Sequence, residues 1–446
     1  MKRIALKHLE KWKESPARRP LILTGARQVG KTWLMREFGQ QAYESVAYIS
    51  FDSNTGMRSV FERDYNVPRL LTSIQLETGV VLRPGKTLII FDEIQECPHA
   101  LTSLKYFCEQ APEHHIMAAG SLLGVATHAG TGWPVGKVET LPVYPMSFTE
   151  FLDATGNGLL NEAIGNGEWE LLEDFAPRLG DLLRYYYYVG GMPGVVQDYV
   201  LNGDFAAVRA RQQSLLNDYR RDFTKHAPAV EVPRLSLVWD SIPVQLAKEN
   251  KKFVCRDVRE GLRMRQLEVP LQWLVDAGLV YHVPRVAKPA LPLAGYRDAA
   301  FKAYVLDVGL LAAMSRISAR TLLEKNRIFT EFKGALTEQY VQQQLRAELG
   351  IEPSYWASGQ ATAEVDFLFD DDGAVIPLEV KAETNLQAKS LMSYIRQFEP
   401  AVSVRCSMAH YSRQPLPGGR TLLNLPLYAV SRMLHECRDI LAAPRS

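Results

Sequence analysis

The stretch that most constrains this chain runs Leu21-Ile-Leu-Thr-Gly25-Ala-Arg-Gln-Val-Gly30-Lys31-Thr32. An apolar run, a glycine-framed loop and a helix opened by Lys and Thr make the strand–loop–helix that the G-x-x-x-x-G-K-[ST] phosphate-binding pattern requires. Gly25 and Gly30 let the backbone wrap around phosphate oxygens. The loop formed by Gly25, Ala26, Arg27, Gln28, Val29 and Gly30 then offers successive amides, backed by a helix N-terminus, to negative charge. Lys31 reaches the β- and γ-phosphates, and the Thr32 hydroxyl holds Mg²⁺. Trp33, Leu34 and Phe38 give the following segment an amphipathic face. The pattern therefore predicts ATP with Mg²⁺ at this loop.

Thr87-Leu-Ile-Ile-Phe-Asp92-Glu93 is a continuous apolar run ending in two carboxylates, as in a strand buried on both faces. Asp92 is placed to bind Mg²⁺ through water, and Glu93 to polarise the attacking water, which points to a hydrolase rather than a small-molecule kinase. Acidic residues after a strand also serve simply as a helix N-terminus. Downstream of a phosphate-binding loop, the catalytic reading takes precedence.

At 446 residues the chain has room for two to four domains with full cores. It is 47% hydrophobic and 23% charged with a formal net charge of +1, so no overall pull toward nucleic acid or membrane follows. The five cysteines are scattered without a C-x-x-C pair, which predicts a reducing cytoplasm rather than a disulfide scaffold. No apolar stretch reaches the length of a membrane span, and none follows Met1-Lys-Arg to suggest a signal peptide.

Apolar strands at 20–24, 46–51, 87–91, 115–119 and 137–141 alternate with helical patterns, the signature of a parallel α/β sheet over residues 1–154. Residues 155–225 read as helical, broken by a turn at Gly190-Gly-Met-Pro193-Gly194. Residues 226–315 read as helices followed by a hairpin of 279–284 and 301–306, as in a winged helix. Such a unit reads DNA in some proteins and only packs in others. From 325 to 446 the pattern is helix, strand, strand, helix, strand.

Together these segments resemble bacterial and archaeal AAA+-type ATPases that carry an uncharacterised C-terminal domain. The markers are Gly25–Thr32, Ile90-Phe-Asp-Glu-Ile-Gln95, Ala119-Gly-Ser121 and Pro145-Met-Ser-Phe-Thr-Glu-Phe151. Gly190–Pro193, Asp218-Tyr-Arg-Arg-Asp222, Gln272–Leu279, Phe301–Leu310 and Lys333–Glu338 complete the set. The resemblance implies an ATPase core over 1–154, a helical lid over 155–225 and a homo-oligomer. It also places Ser121 at a polar sensor position facing the attacking water or the γ-phosphate. Where the family has Gly-Arg, this chain has Gly136-Lys137, so a trans-acting arginine is missing there. Arg220 and Arg221 offer alternatives, or form ordinary surface salt bridges.

Near the C-terminus, Ala363-Glu-Val-Asp366-Phe-Leu-Phe369 and Ile376-Pro-Leu-Glu379-Val-Lys381 read as a hairpin across an Asp-Asp-Gly turn. Pairing brings Asp366 and Glu379 together, and Lys381 shares a face with Glu379 by strand alternation. The set resembles a PD-(D/E)xK nuclease core, and Glu338 matches the helical carboxylate that many such cores add. That resemblance implies a second Mg²⁺ or Mn²⁺ held by Asp366, Glu379 and Glu338, with Lys381 catalytic. A buried Lys381–carboxylate pair in a non-cleaving fold fits the same residues. The E-x-K triplet alone says little, since it recurs at Glu249-Asn-Lys251 and Glu331-Phe-Lys333. Trp356, Gln360, Lys389 and Ser390 line the same cleft or simply pack.

Two functions follow. In one, an ATPase couples its nucleotide state to a nuclease-like domain acting on DNA or RNA. In the other, it is an ATP-dependent switch whose C-terminal domain binds and does not cut.

Overall fold

The computed structural model describes residues 2–120, 134–323, 330–359, 363–383 and 387–443. The chain divides into two compact units, residues 2–144 with 276–279, and residues 145–275 with 280–446.

The first unit is built on five strands, β1 (Leu21–Thr24), β2 (Ser45–Ser50), β3 (Thr87–Asp92), β4 (His115–Ala119) and β5 (Glu139–Pro142). Their order is β2-β3-β4-β1-β5, and every pairing is parallel. Each strand lies within two residues of its position in the sequence pattern. β1, β3 and β4 are buried at every residue, which is why they read as unbroken apolar runs rather than alternating ones. On one side, Phe51, Phe61 and Phe91 meet edge-to-face with ring centroids 5.4–5.6 Å apart. The helices Thr55–Arg63 and Val67–Thr78 start where Asn54 and Asn66 side chains accept the amides of Met57 and Arg69. Since β4 lies between β1 and β3, the phosphate-loop strand and the acidic strand are one strand apart.

The second unit carries helices and an eight-stranded sheet. Its strands are β6 (Val280–Val286), β7 (Arg297–Val305), β8 (Ser354–Ala357), β9 (Glu364–Asp371), β10 (Ala374–Val380), β11 (Val402–Ser407), β12 (Ser412–Leu416) and β13 (Arg420–Pro426), in the order β12-β13-β11-β10-β9-β8-β6-β7. The hairpin β6–β7, expected as a wing, is hydrogen-bonded into this sheet through the parallel pairs Arg285–Tyr355 and Val286–Trp356. Both strands explain why. Val280, Val283 and Val286 are buried on β6, and β7 is buried over its last six residues, so the hairpin is covered over most of its length.

One contact ties together distant parts of this unit. The buried Asp307 carboxylate accepts the Gly191 amide at 2.6 Å, the Leu310 amide at 2.9 Å and the Gln343 side chain at 3.2 Å. Gly191 in turn accepts the Met146 amide at 2.6 Å, and a Cβ on it would lie 2.0 Å from the Met146 carbonyl oxygen, so only glycine fits. Among the described residues no helix is long and apolar enough to cross a membrane.

Candidate functional site

The phosphate loop leaves β1 at Gly25, whose φ of 146° is open only to glycine. A Cβ there would also sit 2.3 Å from the Val143 carbonyl oxygen. Gln28 and Gly30 are left-handed, at φ 64° and 94°, and Gly30 caps the helix Lys31–Ala42. The result is a tightly wound loop running straight into a helix N-terminus, where unpaired amides favour negative charge. Arg3 braces it from outside: its guanidinium donates to the Val29 carbonyl at 3.1 Å and to the Tyr144 carbonyl at 2.8 Å. Lys31 Nζ donates to the Gly25 and Ala26 carbonyls at 2.9 and 2.8 Å. Burial pushes the Lys31 ammonium down to about 8, partly opposed by Glu93 and Asp92. An amine that is buried, folded back on its own loop and short of anionic partners is one that phosphate oxygens would stabilise. Thr32 follows in the first turn of the helix.

Asp92 ends β3, 4% exposed, with Glu93 just beyond it. The Tyr48 hydroxyl on neighbouring β2 donates to Asp92 Oδ2 at 2.7 Å, and Arg36 lies over the Tyr48 ring at 3.9 Å. Asp92 Oδ1 accepts the Glu93 amide at 3.1 Å, supporting a left-handed Glu93 backbone at φ 50°, ψ 45°. Such strain in a non-glycine residue is held only where its surroundings fix it. Gln95 donates to Glu93 Oε2 at 2.5 Å. Both carboxylates are thus oriented by neutral donors. Tyr48 and Gln95 were not identifiable from sequence as partners of this pair, although Gln95 lies in the Asp-Glu-Ile-Gln run.

Ser121, the expected sensor, lies outside the described residues. Lys137 pairs with Glu109 at 3.0 Å. Arg220 pairs with Asp240, and Arg221 with Asp218 at 3.2 Å.

In the second unit the hairpin β9–β10 is antiparallel. Its pair Leu378–Phe367 puts Glu379 opposite Asp366 one step on. Asp366 Oδ2 accepts the Val380 amide at 2.8 Å, and Lys381 Nζ lies 2.6 Å from Glu379 Oε1. Glu338, from the helix Thr330–Ala347, joins them. The predicted residues therefore meet, but in company that the sequence pattern missed. Lys302, on β7 and 0% exposed, sends Nζ to 2.5 Å from Glu364 Oε1, 3.8 Å from Glu338 Oε2 and 3.9 Å from Asp366 Oδ1. Lys251 pairs with Glu338 Oε1, and Tyr304 donates to Glu338 Oε2 at 3.2 Å. Burial and the charges of Glu338 and Glu379 hold Asp366 well above the usual carboxylate range. Burial opposes the Lys302 charge, but Tyr304 and the carboxylates of Glu364, Glu338 and Asp366 outweigh it. Among the described residues, no group of three or more His, Cys, Asp or Glu side chains is placed to hold a metal ion. Trp356 is 2% exposed and packs on Tyr394 and Phe398 as core, Lys389 and Ser390 open the helix Lys389–Phe398, and Gln360 lies outside the described residues.

Comparison with known proteins matches residues 17–152 to the family described as an AAA domain. Residues 180–321 and 333–428 match two families described only as domains of unknown function, DUF8612 and DUF4143. No curated protein matches the chain. Among solved structures, it is similar to the Walker-type ATPase of Pyrococcus abyssi, at 16% identity over 70% of this chain and 94% of that one, with a TM-score of 0.44. It is also similar to the ORC1 protein of Aeropyrum pernix, solved in complex with DNA, at 15% identity over 71% and 93%, TM-score 0.31. The RuvB Holliday junction branch migration motor of Thermotoga maritima overlaps at 15% identity over 63% and 87%, TM-score 0.28. Overlaps this loose add nothing to the family match. Residues 17–152 are an AAA-type P-loop ATPase domain.

Proposed function

We propose that the first unit binds and hydrolyses ATP, and that the chain works as a nucleotide-dependent switch whose second unit holds nucleic acid without cutting it. The observation that carries the ATPase half is the Lys31 ammonium folded onto the Gly25 and Ala26 carbonyls, in the electrostatic reach of Asp92 and Glu93. Mg²⁺-ATP, when bound, supplies the anhydride and the cation. Lys31 exchanges carbonyl oxygens for phosphate oxygens, Thr32 and Asp92 offer oxygens for Mg²⁺, and Glu93 polarises water. Phosphate release should vanish in Lys31→Ala. In Glu93→Gln it should fall on the order of a hundredfold or more with nucleotide binding kept; normal turnover there would refute the assignment of the base.

Nucleic acid is supported by Arg256, Arg259, Arg263 and Arg265, all exposed around the short helix Cys255–Val258. None of the four pairs with a carboxylate among the described residues, which leaves them available to phosphates. Replacing Arg256 and Arg259 by Gln should lower the slope of log affinity for duplex DNA against log salt by about 2. An unchanged slope would remove this surface from the reading, and ATP turnover indifferent to DNA would remove the coupling.

A second reading, phosphodiester cleavage, is favoured by the placement of Glu379 opposite Asp366 with Lys381 alongside. Plasmid nicking with Mg²⁺ or Mn²⁺ that disappears in Lys381→Ala would establish it.

A further inference from the structure

A nuclease-like trio of Asp366, Glu379 and Glu338 calls for a divalent cation between its oxygens. The residues present do not fit one. Both Glu338 oxygens are already engaged, Oε1 by Lys251 and Oε2 by the Tyr304 hydroxyl. Asp366 Oδ2 accepts the Val380 amide, and its Oδ1 faces Lys302 at 3.9 Å. Glu379 Oε1 holds Lys381. Among the described atoms of the trio, only Glu379 Oε2 is buried without a partner.

The position of Lys302 sharpens this. It comes from β7, the far edge of the sheet, and its side chain is wholly buried. Its Nζ meets no acceptor in hydrogen-bond geometry, so its contacts to Glu364, Glu338 and Asp366 are ionic and not directional. The Tyr355 ring lies 4.9 Å from that Nζ and adds a cation–π contact. Two ammonium groups, Lys302 and Lys251, thus bring the two positive charges that a divalent ion would bring. The β-bridge between Lys252 and Lys302 keeps their segments side by side.

We infer that Lys302 and Lys251 are resident cations standing where a nuclease-like site would hold its metal, so that the pocket is closed to divalent ions. It works as an ionic clasp of the β6–β7 hairpin and the 251–252 segment onto the carboxylate strands. This rests on the non-cleaving reading above and on nothing in the nucleotide site. Charge compensation without a metal is what a buried carboxylate group needs to stay folded.

The test is Mn²⁺ titration of the full chain without nucleotide, followed by electron paramagnetic resonance and by Tm. Wild type should show no saturable Mn²⁺ site that depends on Asp366. Lys302→Met removes one charge at similar volume. It should gain one Mn²⁺ per chain and a Tm that rises with Mn²⁺, and both gains should be lost when Asp366→Asn is added. A wild-type Mn²⁺ site abolished by Asp366→Asn would overturn the inference, and so would folded Lys302→Met that binds no Mn²⁺. Should Lys302→Met fail to fold, the wild-type comparison decides alone. Nicking of plasmid without an Asp366-dependent Mn²⁺ site would sink the non-cleaving reading only. An Asp366-dependent Mn²⁺ site without nicking would sink only the lysine assignment.

Discussion

Two groups of carboxylates, one in each unit, are kept in opposite ways. Asp92 and Glu93 are oriented by neutral groups, the Tyr48 hydroxyl and the Gln95 amide, while the nearby Lys31 is tied to backbone carbonyls instead. Their negative charge is aimed and left uncancelled. Glu338, Asp366 and Glu379 are surrounded by Lys251, Lys302 and Lys381, which offset much of theirs. A hydroxyl or amide can fix the direction of a carboxylate without reducing its pull on a cation, whereas an ammonium reduces that pull directly. Poised chemistry and internal neutralisation thus use the same acids with different neighbours.

The largest effect is expected at Lys302. Lys302→Ala strands Glu364, Glu338 and Asp366 and should cost about 3–5 kcal/mol, read as a lower urea midpoint for the second unit. Lys31→Ala should move its own unit's midpoint much less, because relief of a buried ammonium offsets the two bonds lost to backbone carbonyls. Equal losses would erase the distinction. Next, Tyr48→Phe removes one donor to Asp92 and should raise the Mg²⁺ concentration for half-maximal ATP turnover by about ten- to a hundredfold, from the roughly 1.5–3 kcal/mol typical of bonds to charged groups. An unchanged Mg²⁺ requirement would show that Tyr48 only packs.

A comparable effect concerns pH. With Lys31 pushed down to about 8 in the free loop, the amine loses its proton above that pH, while the phosphate-bound form keeps it. Nucleotide binding then takes up a proton, and affinity should fall by up to about tenfold per pH unit above 8 and stay flat below it. Isothermal titration in buffers of different ionisation enthalpy reads this directly, and a flat profile to pH 10 would contradict it. Smallest is Lys137→Ala. Its pair with Glu109 is 41% and 36% exposed and screened by solvent, so thermal melting should show no resolvable change in stability.

How much of this was legible in the sequence follows from the distances along the chain. The phosphate loop and the strand ending in Asp92 are local patterns: glycines at fixed spacing, and apolar runs buried on both faces. The meeting of Asp366 with Glu379 and Lys381 was also readable, because one tight hairpin and period-two alternation suffice. Lys302 was not. It reaches Asp366 across β6 and β8, and nothing in Phe301-Lys-Ala-Tyr304 signals that its alternate residues face carboxylates some sixty positions away. Lys251 stood in plain view, but in an E-x-K triplet that looked like chance repetition. The hairpin β6–β7 reads from sequence as a pair of strands, but its pairing with β8 does not, since sequence shows that a strand is apolar and not which sheet will cover it.

The Asp307 contact bears on the order in which the second unit can be completed. Met146, Gly191 and Leu310 all precede Gln343 in the chain, and Asp307 draws on all but Met146 directly. During synthesis the helices from 145 onward emerge with a buried carboxylate whose last partner is still inside the ribosome. The segment up to 323 must therefore wait, with Asp307 unburied or underpaired, until the helix Thr330–Ala347 appears. Any truncated product ending before that helix would be an early client for chaperones or proteases.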